Sequence, residues 1–566
     1  MATNQKIVFL QVLNDSYMKR LWSILLALLW MTVMFVGCEK DNILWIDPSG
    51  TEDVDITDVD YSMTVDVVFS TSGTATVSGT NDDFSVSIEG NDVTIVYSGD
   101  SIVMYALSGT SNDGYFKLYS SNTQVLTLNN LNLTHQNGAA INIQGPVAEP
   151  NKGAMTYMLV QGSNTLADGS SYTATPANED EKAAIFGEGP LVFSGSGSLT
   201  VNATGKSGII SDEFVYVRSS PTINVNSSAG HGIRGKDYVI ITGGILDVNV
   251  SADTKKGIGS DGYVQIDGGT TTIQMTGNAA YDSEESAYSG TAGIKADVYF
   301  KMNGGTLTIT SKGSGGKGIN SDGAGYFNGG TVAVTTTGND YTTGDISAKG
   351  LKFDGNIAFS GSTVTVNSSH NEGIESKGTI TISNGLVYSY SADDDAINSG
   401  STFTISGGYV CAYAPNNDGM DANGNFYITG GVVYAIGARS PEVAIDANTE
   451  EGYKLYVQGG TLVAVGGLER GSSLSQSCYS ASSWTPNTWY ALKVGSETYA
   501  FKTPASGGTP LVVSGSSTPT LKSGVSVSGG NTLFNGMFVE DGSVSGGTAV
   551  SLSSYTGGNG GGPGGW

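Results

Sequence analysis

Length, composition and charge narrow the possibilities before any motif is considered. The chain has 566 residues, 82 of them glycine, and only 14% of its residues are charged. This length exceeds one ordinary globular core, and the glycine content argues against a largely helical protein. The formal net charge of −26 argues against nucleic acid as a partner, because that ligand requires a basic surface. Val, Ile, Thr and Tyr dominate between the glycines, so we expect an all-β protein.

The N-terminal segment has the pattern of an export signal. A basic start at residues 18–20 precedes an apolar run at 21–36, and a small residue stands directly before Cys38. A run of that length suits a signal peptide better than a spanning helix. The Gly-Cys junction resembles a bacterial lipobox, which implies lipidation of Cys38. We predict a signal peptide over residues 1–38, with Met18 as an alternative start, and a lipoprotein of the outer membrane or cell surface. An uncleaved N-terminal anchor is the alternative.

Two short regions separate this signal from the main part of the chain. Residues 39–60 are acidic and broken by Pro, Gly and Asp, which favours a flexible tether. Residues 61–145 contain alternating runs such as 65–69 and 93–97, which are typical of strands with one buried face. We predict that 61–145 forms an N-terminal β cap and the first coils, because the end of a strand stack exposes an edge that must be covered.

An internal repeat occupies residues 146–467. A pair of one small and one apolar residue recurs every 23 to 25 residues, apart from two longer intervals that hold insertions at 281–289 and 340–346. The pairs are Ala184-Ile185, Gly208-Ile209, Gly232-Ile233, Gly257-Ile258, Gly293-Ile294, Gly318-Ile319, Gly350-Leu351, Gly373-Ile374, Ala396-Ile397, Gly419-Met420 and Ala444-Ile445. This period indicates a solenoid, and three short strands with three turns per coil predict a parallel β-helix. Leucine-rich repeats overlap the period but need a fixed leucine frame that this chain lacks.

Glycine corners and a change in composition complete the layout. A Gly-Gly step midway through most repeats, such as Gly243-Gly244, is predicted to turn the backbone with positive φ. The repeat fades after residue 467. Residues 468–556 are predicted to form a C-terminal β cap that closes the end or folds along one side, and 557–566 to form a disordered tail.

Several of these motifs resemble one protein family. They are Lys256-Gly-Ile-Gly-Ser-Asp-Gly262, Lys317-Gly-Ile-Asn-Ser-Asp-Gly323, Thr404-Ile-Ser-Gly-Gly408, Leu128-Asn-Asn-Leu-Asn-Leu133 and Gly138-Ala-Ala-Ile141. They are similar to motifs of bacterial carbohydrate-binding β-helix proteins, whose fold is similar to that of polysaccharide lyases. The resemblance covers residues 75–465. It implies a right-handed β-helix, bound calcium, and adhesion to polysaccharides such as cellulose or pectic acid rather than established cleavage.

Acidic residues return to the same places beside the pairs in the last coils. Glu372, Asp395 and Asp418 come directly before a pair, and Asp394 stands one place earlier. The residues directly after a pair are Glu375, Asn398, Asp421 and Asp446. Carboxylates stacked about 4.8 Å apart repel by about 1 kcal/mol in water and by more in a lower dielectric. A fold that collects them therefore needs compensation.

Calcium is the natural compensation, because it takes six to eight hard oxygen ligands. We predict a calcium site formed by Glu372, Glu375, Asp394, Asp395, Asn398, Asp418 and Asp421. The spacing partly resembles the Asp-Asp-x-x-Asp pattern of calcium-dependent lyases with this fold, with Asn398 in place of one acid. The alternative is a solvated Asp/Asn ladder that only caps turns.

The earlier coils carry a different acid column, four residues beyond the small residue of the pair. Its members are Asp212, Asp261, Asp297, Asp322 and Asp354. Lysines 256, 317 and 349 stand before the glycine in three of these coils. We interpret the column as a structural turn ladder of mixed sign, and a second ion site is the alternative.

Tyrosines replace threonines on the outward positions after the glycine corners in the later coils. They are Tyr388, Tyr390, Tyr409, Tyr413 and Tyr434, with Cys411 among them. Flat aromatic faces on a rigid sheet can stack on sugar rings, which makes these tyrosines candidate ligand-binding residues. The alternative, which we favour, is that the C-terminal block covers this apolar strip.

Few residues point to catalysis. The three histidines, His135, His231 and His370, form no catalytic or metal-binding spacing. A lyase would need a base near calcium, for which Lys377 and Lys454 are candidates. The cysteines that remain after Cys38, Cys411 and Cys478, are too few for a disulfide framework or a zinc site.

The main hypothesis is a lipid-anchored, monomeric, calcium-binding β-helix that holds an extracellular polysaccharide without cleaving it. One rival is a calcium-dependent lyase of the pectate type. The other is a surface adhesin or stalk in which the ions are purely structural.

Overall fold

The computed structural model describes residues 59–557, apart from 173–175, 177, 219 and 284. The predicted signal peptide with Cys38, most of the acidic tether and nearly all of the Gly-rich tail lie outside the described residues. Strands form almost all regular structure, which confirms the all-β class. The described residues include three single-turn 3-10 helices: Thr342–Gly344, Thr449–Glu451 and Phe534–Gly536. No helix in this part of the chain is long and apolar enough to cross a bilayer.

The repeat builds three ladders of hydrogen-bonded strands. Ladder 1 contains the strands that hold the apolar residue of each small-apolar pair at or near their start. All its pairings after the first hairpin are parallel. Its strands are Phe84–Glu89, Asp92–Tyr97, Tyr115–Tyr119, Ile141–Gln144, Ala183–Gly187, Ser207–Ser211, Ile233–Gly235, Lys256–Ser260, Ala292–Ala296, Lys317–Ser321, Leu351–Phe353, Ile374–Ser376, Ile397–Ser399 and Met420–Ala422.

Ladder 2 follows ladder 1 within each repeat and is parallel throughout. Its strands are Thr156–Gln161, Leu191–Ser194, Phe214–Val217, Tyr238–Ile241, Tyr263–Ile266, Tyr299–Met302, Ala324–Phe327, Ile357–Phe359, Ile380–Ile382, Phe403–Ile405, Phe426–Ile428, Leu455–Val457 and Ser473–Leu474.

Ladder 3 begins after the glycine corners and is also parallel up to its last repeat strand. Its strands are Ser163–Ala167, Ser198–Ala203, Thr222–Ser227, Ile245–Val250, Thr270–Met275, Thr306–Ser311, Thr331–Thr336, Thr363–Ser368, Leu386–Ser391, Tyr409–Tyr413, Val432–Ile436 and Thr461–Val465.

Long N-terminal strands unite ladders 2 and 3. The strand Gln124–Thr134 pairs with Thr156–Gln161 through its first half and with Ser163–Ala167 through its second half. Before it come Val103–Ser111 and Met63–Phe69, and the short strand Thr76–Ser78 lies antiparallel on the edge of Met63–Phe69. These strands cover the end of the stack, as an exposed row of unpaired backbone groups would invite association.

One hydrophobic core runs between the three ladders. A single coil contributes Ile258 from ladder 1, Val264 and Ile266 from ladder 2, and Ile273 and Met275 from ladder 3, all with no exposed surface. The same pattern repeats in the neighbouring coils, so inward side chains form columns along the stack. Each coil is therefore stabilised mainly by the coils on either side of it.

Glycine is required at two places in the repeat. The second glycine of the corner has positive φ, for example +74° at Gly244 and +75° at Gly305, which confirms the predicted turn. The small residue of the pair faces a close neighbour. A Cβ on Gly350 would lie 2.2 Å from Cγ1 of Val366, because ladder 3 packs directly against this position.

The C-terminal block closes the stack and also covers one side of it. The strand Leu511–Ser514 pairs antiparallel with Thr461–Val465, which ends ladder 3, and Cys478–Ala481 and Ser553–Tyr555 continue that sheet. A separate antiparallel sheet contains Asn531–Leu533, Phe538–Glu540, Glu497–Lys502, Trp489–Val494, Thr520–Ser528 and Ser543–Val550. Its inner face packs on the outer side of ladder 3.

Both predicted insertions leave the repeat as loops beside ladder 1. The first is an antiparallel hairpin of Ala280–Asp282 and Ala287–Ser289. The second is pinched by a bridge between Tyr341 and Ile346. The insertions touch each other, since the ring centroids of Tyr288 and Tyr341 are 6.1 Å apart.

Candidate functional site

The outer column of acids forms on ladder 1 as its spacing predicted. Strand register places Glu375 beside Asn398, and Asn398 beside Asp421. Single bridges continue this register through two further coils, which adds Asp446 and Glu469 to the column. The column therefore extends one coil further than the sequence indicated.

The inner column lies in the turns that precede the strands. Glu372, Asp395 and Asp418 are 7–8% exposed. Asp395 accepts hydrogen bonds from the backbone N–H of Asp418 at 3.2 Å and from Nδ2 of Asn398 at 3.1 Å. Asp418 accepts one from the backbone N–H of Val443 at 2.6 Å. These donors fix the carboxylates but do not neutralise them.

The electrostatics of these acids show that charge compensation is missing. Burial raises the pKa of Asp395 to about 8 and that of Asp418 to about 9, and neighbouring carboxylates add to both shifts. Asp421 hydrogen-bonds to Asp446, and Asp446 to Glu469, contacts that require a shared proton. None of the five forms an ion pair with Lys or Arg among the described residues. At neutral pH this cluster needs protons or a cation.

Two oxygen atoms beside the inner column add to the donor set. Oδ1 of Asp394 accepts hydrogen bonds from the backbone N–H of Asp395 at 2.9 Å and from Nδ2 of Asn417 at 2.8 Å. Oδ1 of Asn371 is buried and has no hydrogen-bond partner, although its Nδ2 donates to Asp340 at 3.0 Å. A buried carbonyl oxygen without a donor fits a hard cation.

A lysine compensates the first coil of the acidic segment. Nζ of Lys349 lies 2.9 Å from Glu372 and 2.7 Å from Glu375, and all three side chains are largely buried. Two of the seven predicted calcium ligands are therefore held by an ammonium group. The uncompensated acids begin one coil later, at Asp394 and Asp395.

A different group of acids converges more tightly on one point. Within the described residues, Asp180, Glu188 and Asp212 have ligand oxygens that lie within 4.8 Å of one another. Lys182 already pairs with Asp180 at 2.8 Å and with Asp212 at 2.6 Å, so this group carries its own cation. The sequence interpretation began its earlier acid column at Asp212 and missed Glu188, although Glu188 stands at the same place after Ala184.

The rest of the earlier acid column is a ladder of ion pairs. Asp261 pairs with Arg234, and Lys295 lies 2.6 Å from Asp297 and 2.7 Å from Asp322. Lys352 pairs with Asp354 at 2.7 Å. The mixed-sign interpretation holds, but the bases come mostly from the position after the pair rather than from the predicted lysines before it.

The tyrosine strip is covered by the C-terminal block. Tyr434 has no exposed surface and Tyr388 is 5% exposed, and both pack in a core shared with the C-terminal sheet. Oη of Tyr434 donates to the backbone carbonyl of Lys502 at 2.8 Å, and Tyr409 bonds to the carboxylate of Glu540. Tyr390 and Tyr413 pack at the edge of the same core. Of the two interpretations of this strip, the structure matches the covering one.

A second aromatic column lies on the outer side of ladder 2. The rings of Phe214, Tyr238, Tyr263 and Tyr299 stack in sequence, with centroids 4.5, 5.0 and 4.7 Å apart. Stacked rings present edges and hydroxyl groups rather than faces, so this column stabilises neighbouring coils. The sequence signal for this column is an aromatic residue one or two places after an aspartate in each of these turns.

The candidate catalytic bases and histidines are not gathered into one site. Lys377 lies 3.3 Å from Asp354 and is 59% exposed, and Lys454 is also exposed. His231 is buried, which lowers its pKa to about 3, and its Nδ1 accepts from the backbone N–H of Lys256. His370 pairs with Asp393 at 3.2 Å. Cys411 and Cys478 are buried free thiols.

Comparison with protein families identifies the repeat region. The profile of a family described as carbohydrate-binding domain-containing protein matches residues 89–297, 249–340 and 288–396. Together these matches span residues 89–396, which is more than half of the chain. The chain belongs to this family of carbohydrate-binding domain-containing proteins. The matched residues include all of the basic part of ladder 1 and the first acidic coil, and they end just before the strand Ile397–Ser399.

Other comparisons yield less. A search of curated proteins finds no match to this chain. Among solved structures, the polysaccharide lyase-like protein from C. thermocellum, determined as a gadolinium derivative, is similar to it with 24% identity and a TM-score of 0.34. That similarity covers 52% of this chain and 96% of the other.

Proposed function

We propose that this protein is a lipid-anchored, right-handed parallel β-helix that binds extracellular polysaccharide in a calcium-dependent way. Membership of a carbohydrate-binding family supports the carbohydrate ligand. The repeat with three parallel strands per coil around one core supports the helical arrangement, and a right-handed path is the usual one for parallel strands. The signal pattern and Cys38 support export and lipidation at the outer membrane or cell surface.

The observation that carries the calcium dependence is the row of buried carboxylates without a basic partner. We assign the ion to oxygens of Asp394, Asp395, Asn398, Asp418 and Asp421, with Asp446 in the next coil. The donor set contains only hard oxygens, as calcium prefers. Bound calcium would neutralise the buried acids and offer open coordination positions to a carboxylate or hydroxyl group of a sugar.

The proposed role is binding rather than cleavage. Lys377 and Lys454, the bases that a lyase of the pectate type would use, are exposed and lie in different coils. A surface stalk with purely structural ions would compensate the same acids, so binding of polysaccharide is the property that separates it from the proposed role. The protein acts as a single chain that captures polysaccharide and holds it at the cell surface.

Binding to insoluble polysaccharide tests this function. The purified chain is incubated with cellulose and with insoluble pectin, in calcium or in a chelator, and the bound fraction is measured. We expect binding in calcium, and a loss of most of it in chelator or in the Asp418→Ala variant. Asp393→Ala is the matched control, because Asp393 is exposed and lies in the same turn as the predicted ligands. Absence of binding to either material in calcium would exclude the proposed function.

An absorbance assay separates binding from cleavage. The chain is incubated with polygalacturonate and calcium, and unsaturated products are followed in the ultraviolet. We expect no product. Turnover that disappears in the Asp418→Ala variant would establish a lyase instead.

A further inference from the structure

The two insertions form a cleft over ladder 1 that ends at the first acidic coil, before Asp394. The cleft has a volume of about 410 Å³. Its walls include Tyr288 and Ser289 of the first insertion and Asp345 and Ile346 of the second, and its floor is the outer side of ladder 1. Cavities of roughly 300–1,000 Å³ are typical of small-ligand sites. The repeat is interrupted at the two places that enclose this volume.

Lysines are concentrated in this cleft. Only 26 residues of the chain are Lys or Arg, and six lysines line the cleft. They are Lys256, Lys295, Lys317, Lys349, Lys352 and Lys377. Three acids, Glu285, Asp345 and Glu375, also line it, and Glu375 is engaged by Lys349 at 2.7 Å. In a protein with a net charge of −26, this is an exceptional basic surface.

Two of the lysines differ from the others because neither forms an ion pair with a carboxylate among the described residues. Nζ of Lys256 donates to the backbone carbonyls of Thr254 and Gly290 and to Ser289. Lys317 occupies the equivalent position two coils later in ladder 1. Its Nζ has no hydrogen-bond or ion-pair partner among the described residues. Burial lowers the pKa of each to about 8.

Lys256 and Lys317 are half-buried, and an ammonium group that has lost much of its water without gaining an anion is costly. A bound anion reduces that cost. The four remaining lysines already have carboxylate partners, such as Asp297 for Lys295 and Asp354 for Lys352. The charges of Lys352, Lys349 and Lys256 nonetheless lower the pKa of Lys317 further. The cleft therefore favours a ligand with a compact negative group over a neutral one.

Aromatic rings at the cleft add a second kind of contact. Tyr288 lines the cleft and is 42% exposed, and Tyr281 next to it is 57% exposed. Their rings meet edge to face, with centroids 5.5 Å apart, so their positions are fixed by each other. An exposed ring beside an anion-binding group is suited to a ligand with an apolar face and an acidic substituent, such as an acidic sugar ring.

We propose that this cleft binds an acidic sugar unit, whose carboxylate or sulfate group contacts the ammonium group of Lys317 beside the positive charge of Lys256, while its ring packs on Tyr288. The proposal rests on carbohydrate binding as the proposed function, but it names a separate site that needs no calcium. The cleft lies where the lysines are, whereas the proposed calcium ligands begin at Asp394.

Titration calorimetry in a chelator tests the site, because the chelator removes any contribution of calcium. The full chain is titrated with trigalacturonate, with a sulfated disaccharide and with neutral cellotriose. We expect at least one acidic probe to bind at least tenfold more tightly than cellotriose, and the two acidic probes distinguish a carboxylate from a sulfate ligand. Failure of both acidic probes to bind the wild-type chain would overturn the proposal.

Variants locate the binding. Lys317→Met should reduce affinity at least tenfold and should not lower the thermal midpoint, because it removes a half-buried charge without a partner. Tyr288→Ala should weaken the acidic sugars but leave binding of inorganic sulfate unchanged. Lys312→Met is the matched control, since Lys312 is exposed in the same coil and lies outside the cleft. Equal losses in Lys312→Met and Lys317→Met would indicate general charge attraction and reject the cleft.

The two proposals fail in different ways. If insoluble polysaccharide binds in calcium but Lys317→Met has no effect on the acidic probes, only the cleft assignment is wrong. If the acidic probes bind in chelator but neither insoluble material binds in calcium, only the proposed function is wrong.

Discussion

Ladder 1 carries opposite charges on its two halves, at equivalent positions of one repeat. In the earlier coils, the position after the pair holds Arg234, Lys295 and Lys352, and nearby aspartates neutralise each of them. In the later coils, the same register position holds Glu375 and Asp421, and among the described residues no Lys or Arg beyond Lys349 forms an ion pair with this column. At this position the earlier coils compensate their charge within the chain, whereas the later coils need protons or a cation from solution. The same strand register therefore accepts either basic or acidic side chains on its outer side. The proposed binding sites are the places where those side chains lack an ion-pair partner.

Removing the lysine at the boundary should have the largest effect. Lys349→Gln leaves Glu372 and Glu375 without a counter-ion in a largely buried position, so we expect the free energy of unfolding to fall by about 3–5 kcal/mol in chelator. Calcium should recover part of this loss, because the variant extends the acidic half by one coil. Urea unfolding in both buffers measures it.

Lys312→Gln is the control for that variant, since it removes an exposed charge from a neighbouring coil. If Lys349→Gln lowers the free energy of unfolding equally with and without calcium, no cation substitutes for the ammonium group. The proposed contrast between the two halves of ladder 1 would then be wrong.

Neutralising the buried acids should reverse the response to metal. Asp395 and Asp418 have folded-state pKa values raised to about 8 and 9. Their contribution to stability is complete below the unfolded pKa of about 4 and is lost as pH rises through 8 to 9. In chelator, the wild-type thermal midpoint should therefore fall between pH 5 and pH 9, and the Asp395→Asn, Asp418→Asn double variant should show a much smaller fall.

Calcium at about 100 times its dissociation constant should add about 2.7 kcal/mol to the wild-type chain and little to the double variant. Scanning calorimetry over this pH range measures both effects. Asp393→Asn, in the same turn but exposed, should behave as wild type. A calcium response that persists in the double variant would place the ion elsewhere.

Adding one methyl group at the junction should disturb the contact between the halves. Gly350→Ala places a Cβ 2.2 Å from Val366 and 2.4 Å from the backbone oxygen of Gly373, which opens the acidic half. We expect a loss of about 1–3 kcal/mol in the free energy of unfolding. Gly259→Ala is the matched control on the same ladder, because its nearest neighbour is Cβ of Lys256 at 3.8 Å. A similar loss in both variants would show that the junction is not specially tight.

The basic half should give the smallest effect, a pH dependence of anion binding. Affinity for the acidic probe should fall by about tenfold per unit above pH 8, because Lys317 and Lys256 lose their protons there. The titratable groups that face Lys317 across the cleft are Lys256, Lys295, Lys349, Lys352, Lys377, Glu285, Asp345, Glu375 and Tyr288. Calorimetric titration at several pH values measures the slope, which Lys317→Met should flatten. A flat profile for the wild-type chain would remove these two lysines from the site.

The sequence predicts the repeat well because one physical rule is applied many times. Each pair needs a small residue where ladder 3 packs closely and an apolar residue in the core, and each corner needs a glycine with positive φ. The columns of Glu375, Asn398 and Asp421 follow directly, since a fixed period puts equivalent residues in register.

The parts that could not be predicted depend on contacts between distant residues. Period alone does not show that Lys349 reaches forward to Glu372 and Glu375. The apolar strip did predict that the C-terminal block covers Tyr434, but not which of its strands do so. The lysine cleft was hidden for the same reason. Its walls are two insertions that break the period, and insertions carry no register from which a contact can be read.

Cys411 can report movement of the C-terminal sheet, because its thiol is buried beneath that sheet. The thiol is fully buried between Tyr388 and Tyr434 in neighbouring strands, beneath the C-terminal sheet, and burial raises its pKa. A maleimide can reach it only when that sheet lifts from ladder 3. The rate at which this thiol is labelled therefore reports how often the C-terminal sheet separates from ladder 3. That separation breaks contacts between residues 68 to 131 positions apart in the chain.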